Sequence, residues 1–122
     1  MAGTAVVTEY RVNSVKKIHF DWTTDTSGAV TQATTYAYDG RVIDVVFTPD
    51  SAGTQPTNAY DVTLTDADGT DVLNGLGADL SNAAAVRKVQ EDKTGAVAGS
   101  VLTLNVANAG ENKGGLVDVY IR

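Results

Sequence analysis

"AYDVTLTDADGTDVLNG", residues 59–75, decides the fold. Tyr60, Val62 and Leu64 alternate with Asp61 and Thr63, the period-two pattern of a strand with one buried face. Asp66, Ala67, Asp68 and Gly69 then fit a type I turn closed by a left-handed glycine, which joins two strands through a G1 bulge. The spacing predicts a strand running in through "YDVTL" and another running out through "TDVL". Asn74-Gly75 adds a second tight-turn dipeptide. The three aspartates also raise a metal question. An EF-type calcium loop needs Gly at its sixth position and a bidentate Glu at its twelfth. Counted from Asp66 these positions hold Asp71 and Gly77, so the EF-hand reading fails. A hairpin is expected, with a looser calcium site on Asp66, Asp68 and Asp71 as the alternative.

The same alternation recurs outward from this stretch. In "VKKIHFDWT" Ile18, Phe20 and Trp22 share a face, with Lys17, His19 and Asp21 on the other. "RVIDVVFTP" sets Ile43, Val45 and Phe47 against Val42, Asp44 and Val46. "SVLTLNVA" buries Leu102, Leu104 and Val106, and "GLVDVYIR" buries Val117, Val119 and Ile121. Weaker strands are expected in "TAVVTEYRV", in "VTQATTYAY" at 30–38 and in "AVRKVQ" at 85–90. Turn residues separate the runs: "DTSGA", "YDGR", the proline-bearing "TPDSAGTQPTN" and "NAGENKGG". Helix has one opening, "GADLSNAAAVRKV", where Asp79 or Ser81 caps a turn or two unless the piece is a loop feeding a strand.

The totals agree. The chain has 122 residues, 43% hydrophobic and 20% charged, with twelve glycines. Twelve aspartates stand against three glutamates, and Thr and Val favour pleated strands. The expectation is one domain over residues 1–122, an antiparallel β-sandwich of about seven or eight strands. Residues 1–12 form an N-terminal arm or an edge strand. The ordered ends expected of such a chain are held by its own sheet or by a neighbour.

Chemistry is hard to find in this sequence. A net charge of −6 argues against nucleic acid, although Arg11, Lys16 and Lys17 cluster near the N-terminus. Without cysteine there is no disulfide, thiolate nucleophile or Cys-ligated zinc. No 18-residue apolar run and no basic-then-apolar leader occurs, so neither a membrane span nor a secretory address is expected. His19 is the only histidine and is read as a solvated or hydrogen-bonded side chain. Nothing ties it to Ser14, Ser27, Ser51, Ser81 or Ser100, and no G-x-S-x-G elbow is present. No catalytic, cofactor or metal residue is therefore assigned. Among the aromatics, Trp22 shares its face with Ile18 and Phe20 and reads as core. Tyr36 and Tyr38, on one face of a Thr- and Ala-rich strand, are the sugar-platform candidates.

Residues 59–82, "AYDVTLTDADGTDVLNGLGADLSN", resemble a stretch of small virion proteins of tailed bacteriophages and prophages. "VVFTPDSAGTQPT" and "NAGENKGGLVDVYIR" are similar to the same group, so the likeness covers roughly residues 40–122, about two-thirds of the chain. The resemblance implies a capsid cement or decoration protein on the exterior of a phage head, assembled in the host cytoplasm. It implies a major capsid protein as partner, a dimer or trimer as the working form, and no cofactor. It also favours jelly-roll over immunoglobulin-like topology. No capsid-binding residue is matched, so none is carried over. The alternatives are a carbohydrate-binding or host-adhesion sandwich, or another minor virion component of the head fibre or tail.

Overall fold

The structure, a computed structural model, describes residues 3–89 and 93–122. Its strands are β1 (Thr4–Tyr10), β2 (Lys16–Thr23), β3 (Val30–Pro49), β4 (Asp61–Thr65), β5 (Val86–Lys88), β6 (Ala96–Ala107) and β7 (Gly114–Ile121). All pairings are antiparallel, in the order β1-β2-β7-β3-β6-β4, with β5 also on β3. The chain is thus the all-β, antiparallel, sandwich-like fold its alternation predicts. Gln90, at the end of the predicted strand 85–90, lies outside the described residues, as do Met1 and Ala2 of the predicted arm. Within that segment Thr4–Tyr10 is the edge strand β1, paired along its length with β2.

The 20-residue β3 makes the sandwich. Its first part, Val30 to Arg41, pairs with β6. From Val42 to Pro49 it pairs with β7, and Val45–Phe47 also pair with β5. One strand therefore serves both layers. The "YDGR" turn expected to separate two strands here is instead a corner in one continuous strand. Gly40 sits at φ +129° between two register shifts, and Arg41 exchanges backbone hydrogen bonds with Arg122, 3.0 Å each way. A Cβ on Gly40 would lie 2.9 Å from the Arg122 carbonyl, so only glycine lets the corner close on the end of β7. The glycine signal is real, but the two flanks have different partners, and the backbone bends without reversing.

The shift between Val42 and Asp44 causes a second departure from the alternation. Ile43 is the extra residue of a bulge, so Val42 is buried and Ile43 only partly so. The predicted face of Ile43, Val45 and Phe47 is in fact Val42, Val45 and Phe47. The core between the layers takes Ile18, Phe20 and Trp22 from β2 and Val117, Val119 and Ile121 from β7. Opposite them lie Tyr38, Leu64, Leu102 and Leu104. Trp22 leans on Tyr60, ring centroids 5.7 Å apart, in the tilted packing aromatic pairs prefer.

The 66–69 turn has the predicted geometry. Gly69 (φ +83°) donates its N–H to Asp66 O at 3.0 Å, and Asp66 N–H donates to Thr70 O at 3.0 Å. The outgoing arm, however, is a single bridge, Thr65 to Asp71. Beyond it the chain reverses at Asn74-Gly75, both at positive φ, with Leu76 N–H donating to Leu73 O at 3.0 Å. This roll turns Val72, Leu73 and Leu80 into the core, a gain a second exposed strand would not make. "GADLSNAAAVRKV" forms no helix and enters β5 as turns and loop.

Candidate interaction surface

Two aspartates of the 66–71 hairpin, Asp66 and Asp71, are turned onto their own backbone. Asp71 Oδ1 accepts the Leu64 and Leu73 N–H groups, each at 3.1 Å, and its Oδ2 accepts Gly75 N–H at 3.0 Å. Asp66 Oδ1 accepts from Asp68 and Thr70, each at 3.0 Å. Carboxylate lone pairs used this way order loops. Among the described residues no group of three or more His, Asp or Glu converges as a metal site would require.

His19 has a carboxylate partner, a contact that strand register creates and linear sequence hides. It faces Asp118 across the β2–β7 pair, and its Nδ1–H donates to Asp118 Oδ1 at 2.6 Å. Lys17 Nζ lies 3.8 Å from the same oxygen. The cluster stands on the outer face of the β1-β2-β7-β3-β5 layer, in a row with Thr8 and Val46, and no pocket encloses it among the described residues. Ser27 and Ser81 bond within their own turns, and Ser100 donates to Val101 O and accepts the Ala67 N–H, so none of the three is bonded to it.

Tyr36 and Tyr38 do not form a shared platform. β3 slips register against β6 between Ala33 and Ala37, and Thr34 uses its hydroxyl to accept Leu102 N–H across the gap. Tyr38 is buried and its hydroxyl donates to Glu9 Oε1 at 2.7 Å. Burial first, then this bond and the Glu9 charge, push its phenol pKa upward. Tyr36 is exposed and carries the Arg11 guanidinium 3.4 Å above its ring. The Glu9 carboxylate also accepts the Thr35 and Tyr36 N–H groups, at 3.1 and 3.3 Å. One glutamate from β1 thus satisfies the backbone that the bulged β3 withdraws from β6. Nothing in the sequence spacing of 9 and 35–38 announces this.

The long-range pairing also gathers charge. The β1–β2 loop, the corner of β3 and the end of β7 meet at one end of the sandwich. Lys16 pairs in register with Ile121 and donates to Asp39 O at 2.9 Å. Lys17 stands between the Tyr10 and Tyr120 rings, 5.9 and 5.7 Å away. Arg11 covers Tyr36, and Arg41 and Arg122 are joined through their backbones. Exposed apolar side chains lie among these cations: Tyr10, Val15, Tyr36 and, at 95% exposure, Val12. The opposite end holds Asp25, Asp50, Asp61 and Glu111, brought together by the β6–β7 and β2–β3 turns and the start of β4. The Glu9 and Asp39 carboxylates lie among these cations, bonded to Tyr36, Tyr38 and Gly99, and the Arg41 guanidinium donates to Thr94 O, so a chain of net charge −6 has one cation-rich, partly apolar end. Sequence reasoning found Arg11, Lys16 and Lys17; Arg41 and Arg122 join them only through the register of β2, β7 and β3.

No family model, no curated protein and no solved structure matches this chain.

Proposed function

We propose that this chain is a structural virion protein, a cement or decoration protein on the exterior of a tailed-phage capsid. In this reading it binds the major capsid protein, stabilises contacts between shell subunits, and performs no catalysis. The observation that carries the proposal is the cation-rich, partly apolar end. Tyr10, Val12, Val15 and Tyr36 lie exposed among Arg11, Lys16 and Lys17. Aromatic side chains and arginine are what interface cores enrich, and clustered exposed apolar surface calls for a partner. The resemblance of residues 40–122 to small virion proteins of tailed phages, which implies a capsid cement protein, supplies the class of partner. On a shell, many copies bind at once, so a modest patch suffices through repetition. The sugar-binding alternative needs Tyr36 and Tyr38 exposed side by side, and Tyr38 is buried.

Purified protein mixed with shells of the source phage and imaged by cryo-microscopy tests the proposal. Regular density over subunit junctions is expected, and Arg11→Glu with Lys17→Glu should reduce its occupancy. Shells that stay bare at saturating protein would overturn it.

A further inference from the structure

Among the described residues, the free edge of Val30–Arg41 lies against β1, where Glu9 takes the Thr35 and Tyr36 N–H groups, and the edge left without a backbone cover is β1. β5 at the far side of the same layer is three residues long and carries Arg87 and Lys88. The β4 edge is covered by residues 71–80: Val62 N–H donates to Gly77 O, and Leu64 O accepts Val72 N–H. β1, "TAVVTEY", is seven residues with no Pro, Lys or bulge, and its one charge, Glu9, faces inward and is held by Thr35, Tyr36 and Tyr38. Its inward residues Ala5 and Val7 pack on the core yet stay part-exposed, and outward Val6 is 69% exposed. Tyr10, also outward, is 52% exposed.

We infer that β1 is a self-pairing edge: two copies of this chain join antiparallel through β1 about a two-fold axis at Thr8. The chemistry of the strand selects a second copy as the occupant. A two-fold pair sets outward residues opposite outward residues, which limits the registers. With Thr8 on the axis, Val6 of each copy meets Tyr10 of the other, giving two aromatic–β-branched pairs from the two most exposed apolar side chains of the strand. Val7 on the axis sets both against threonines, and Val6 on the axis leaves Tyr10 overhanging. Glu9 on the axis would oppose two carboxylates. With Thr8 central, Glu9 lies opposite Val7, and its charge is already bonded within its own chain to Thr35, Tyr36 and Tyr38. No like charges face each other along the pair, despite the net −6 of each copy. The pairing does not depend on the capsid reading, and it leaves the Val12 and Val15 loop outside the paired strands.

The chain has no cysteine, so single-cysteine variants report the register directly. Opposed Cα atoms in an antiparallel pair lie about 4.5–5.5 Å apart, within disulfide reach. Sedimentation equilibrium of the purified chain, without shells, should give a dimer. Mild oxidation should link Thr8→Cys into a covalent dimer and leave Val6→Cys unlinked. Val6→Lys, beside Asp21 of its own sheet, should keep the fold and weaken dimerisation about tenfold. A wild-type chain that stays monomeric at every attainable concentration would overturn the inference. So would a dimer in which Thr8→Cys fails to link.

Discussion

The two outer edges β4 and β1 solve the same problem in opposite ways. At β4 the chain supplies its own cover. The 71–80 segment returns along the strand, bonds its backbone, and anchors the roll with three N–H groups on Asp71. At β1 the protein supplies no second backbone partner among the described residues: Glu9 reaches to β3 at one end, and Gly3 lies against Ala29 and Val30 at the other. The first edge is finished within the chain; the second is fastened at its ends and unpaired along its outer backbone. An edge closed internally stores stability, and an edge left open stores the capacity to pair. The contrast predicts large penalties for damage at β4 and small ones at β1.

The largest effect is expected at Gly77. A Cβ there would run into the Val62 carbonyl, the site where the covering segment lies against β4. Gly77→Ala should cost about 3 kcal/mol, because a backbone atom cannot yield as a side chain can. Urea unfolding followed by Trp22 fluorescence measures it. A loss near zero would show that the cover is loose and that the contrast between the edges is overstated. Asp71→Ala should follow, at about 2 kcal/mol, since it strips three N–H groups of their acceptor while the turn can partly recruit water. Amide exchange should speed up at Leu64 and Leu73 in that variant and remain unchanged in β2.

On the β1 side, Glu9→Ala should cost about 1.5 kcal/mol, releasing Thr35, Tyr36 and Tyr38 from one carboxylate. The buried phenols, Tyr38 in this seam and Tyr60 beside Leu80, also give the fold a pH signature. Burial raises the Tyr60 phenol from 10.0 to about 12, and burial with Glu9 raises Tyr38 as well. A phenol with a raised folded-state pKa binds its proton more tightly in the folded chain. Its contribution is therefore complete below the unfolded value near 10 and is lost as pH rises toward the folded one. Urea midpoints should fall from about pH 10 upward, and Tyr38→Phe should flatten that fall. An unchanged alkaline profile in Tyr38→Phe would mean that the Glu9 seam is open in solution.

The parts of this fold that were legible in advance are those set by neighbours in sequence. Ile18, Phe20 and Trp22, or Leu102, Leu104 and Val106, alternate because a pleated strand alternates, and the Asp66–Gly69 turn is specified by four adjacent residues. The corner at Gly40 carries the same local signal as a turn that separates two strands. What differs is that β6 and β7 bind its two flanks, and those partners lie far along the chain, Val97 opposite Gly40 and Ile121 opposite Val42. One bulge residue, Ile43, moved the core face by a single position, as any slip in a period-two pattern must. The candidate surface was less legible still. Arg11, Lys16 and Lys17 were visible as a cluster, but Arg122 reaches them through β7. Glu9 gave no sign of its role, since a carboxylate serving a bulge 26 residues on has no sequence signature.

The smallest effect belongs where β1 leaves the sheet. Arg11 lies over the exposed Tyr36 ring at 3.4 Å, one residue past the strand and at the rim of the cation-rich end. A cation–π contact in water contributes about 0.5 kcal/mol, so Arg11→Ala should barely move the urea midpoint. Its effect on shell binding should be larger than its effect on stability, because in this reading the guanidinium and the ring it covers are part of the docking surface. Measuring both on one variant separates the two roles of this end. Lost stability with intact binding would make Arg11 a prop for Tyr36. Intact stability with lost binding would assign the pair to the partner, and would place the working surface beside the open edge and away from the covered one.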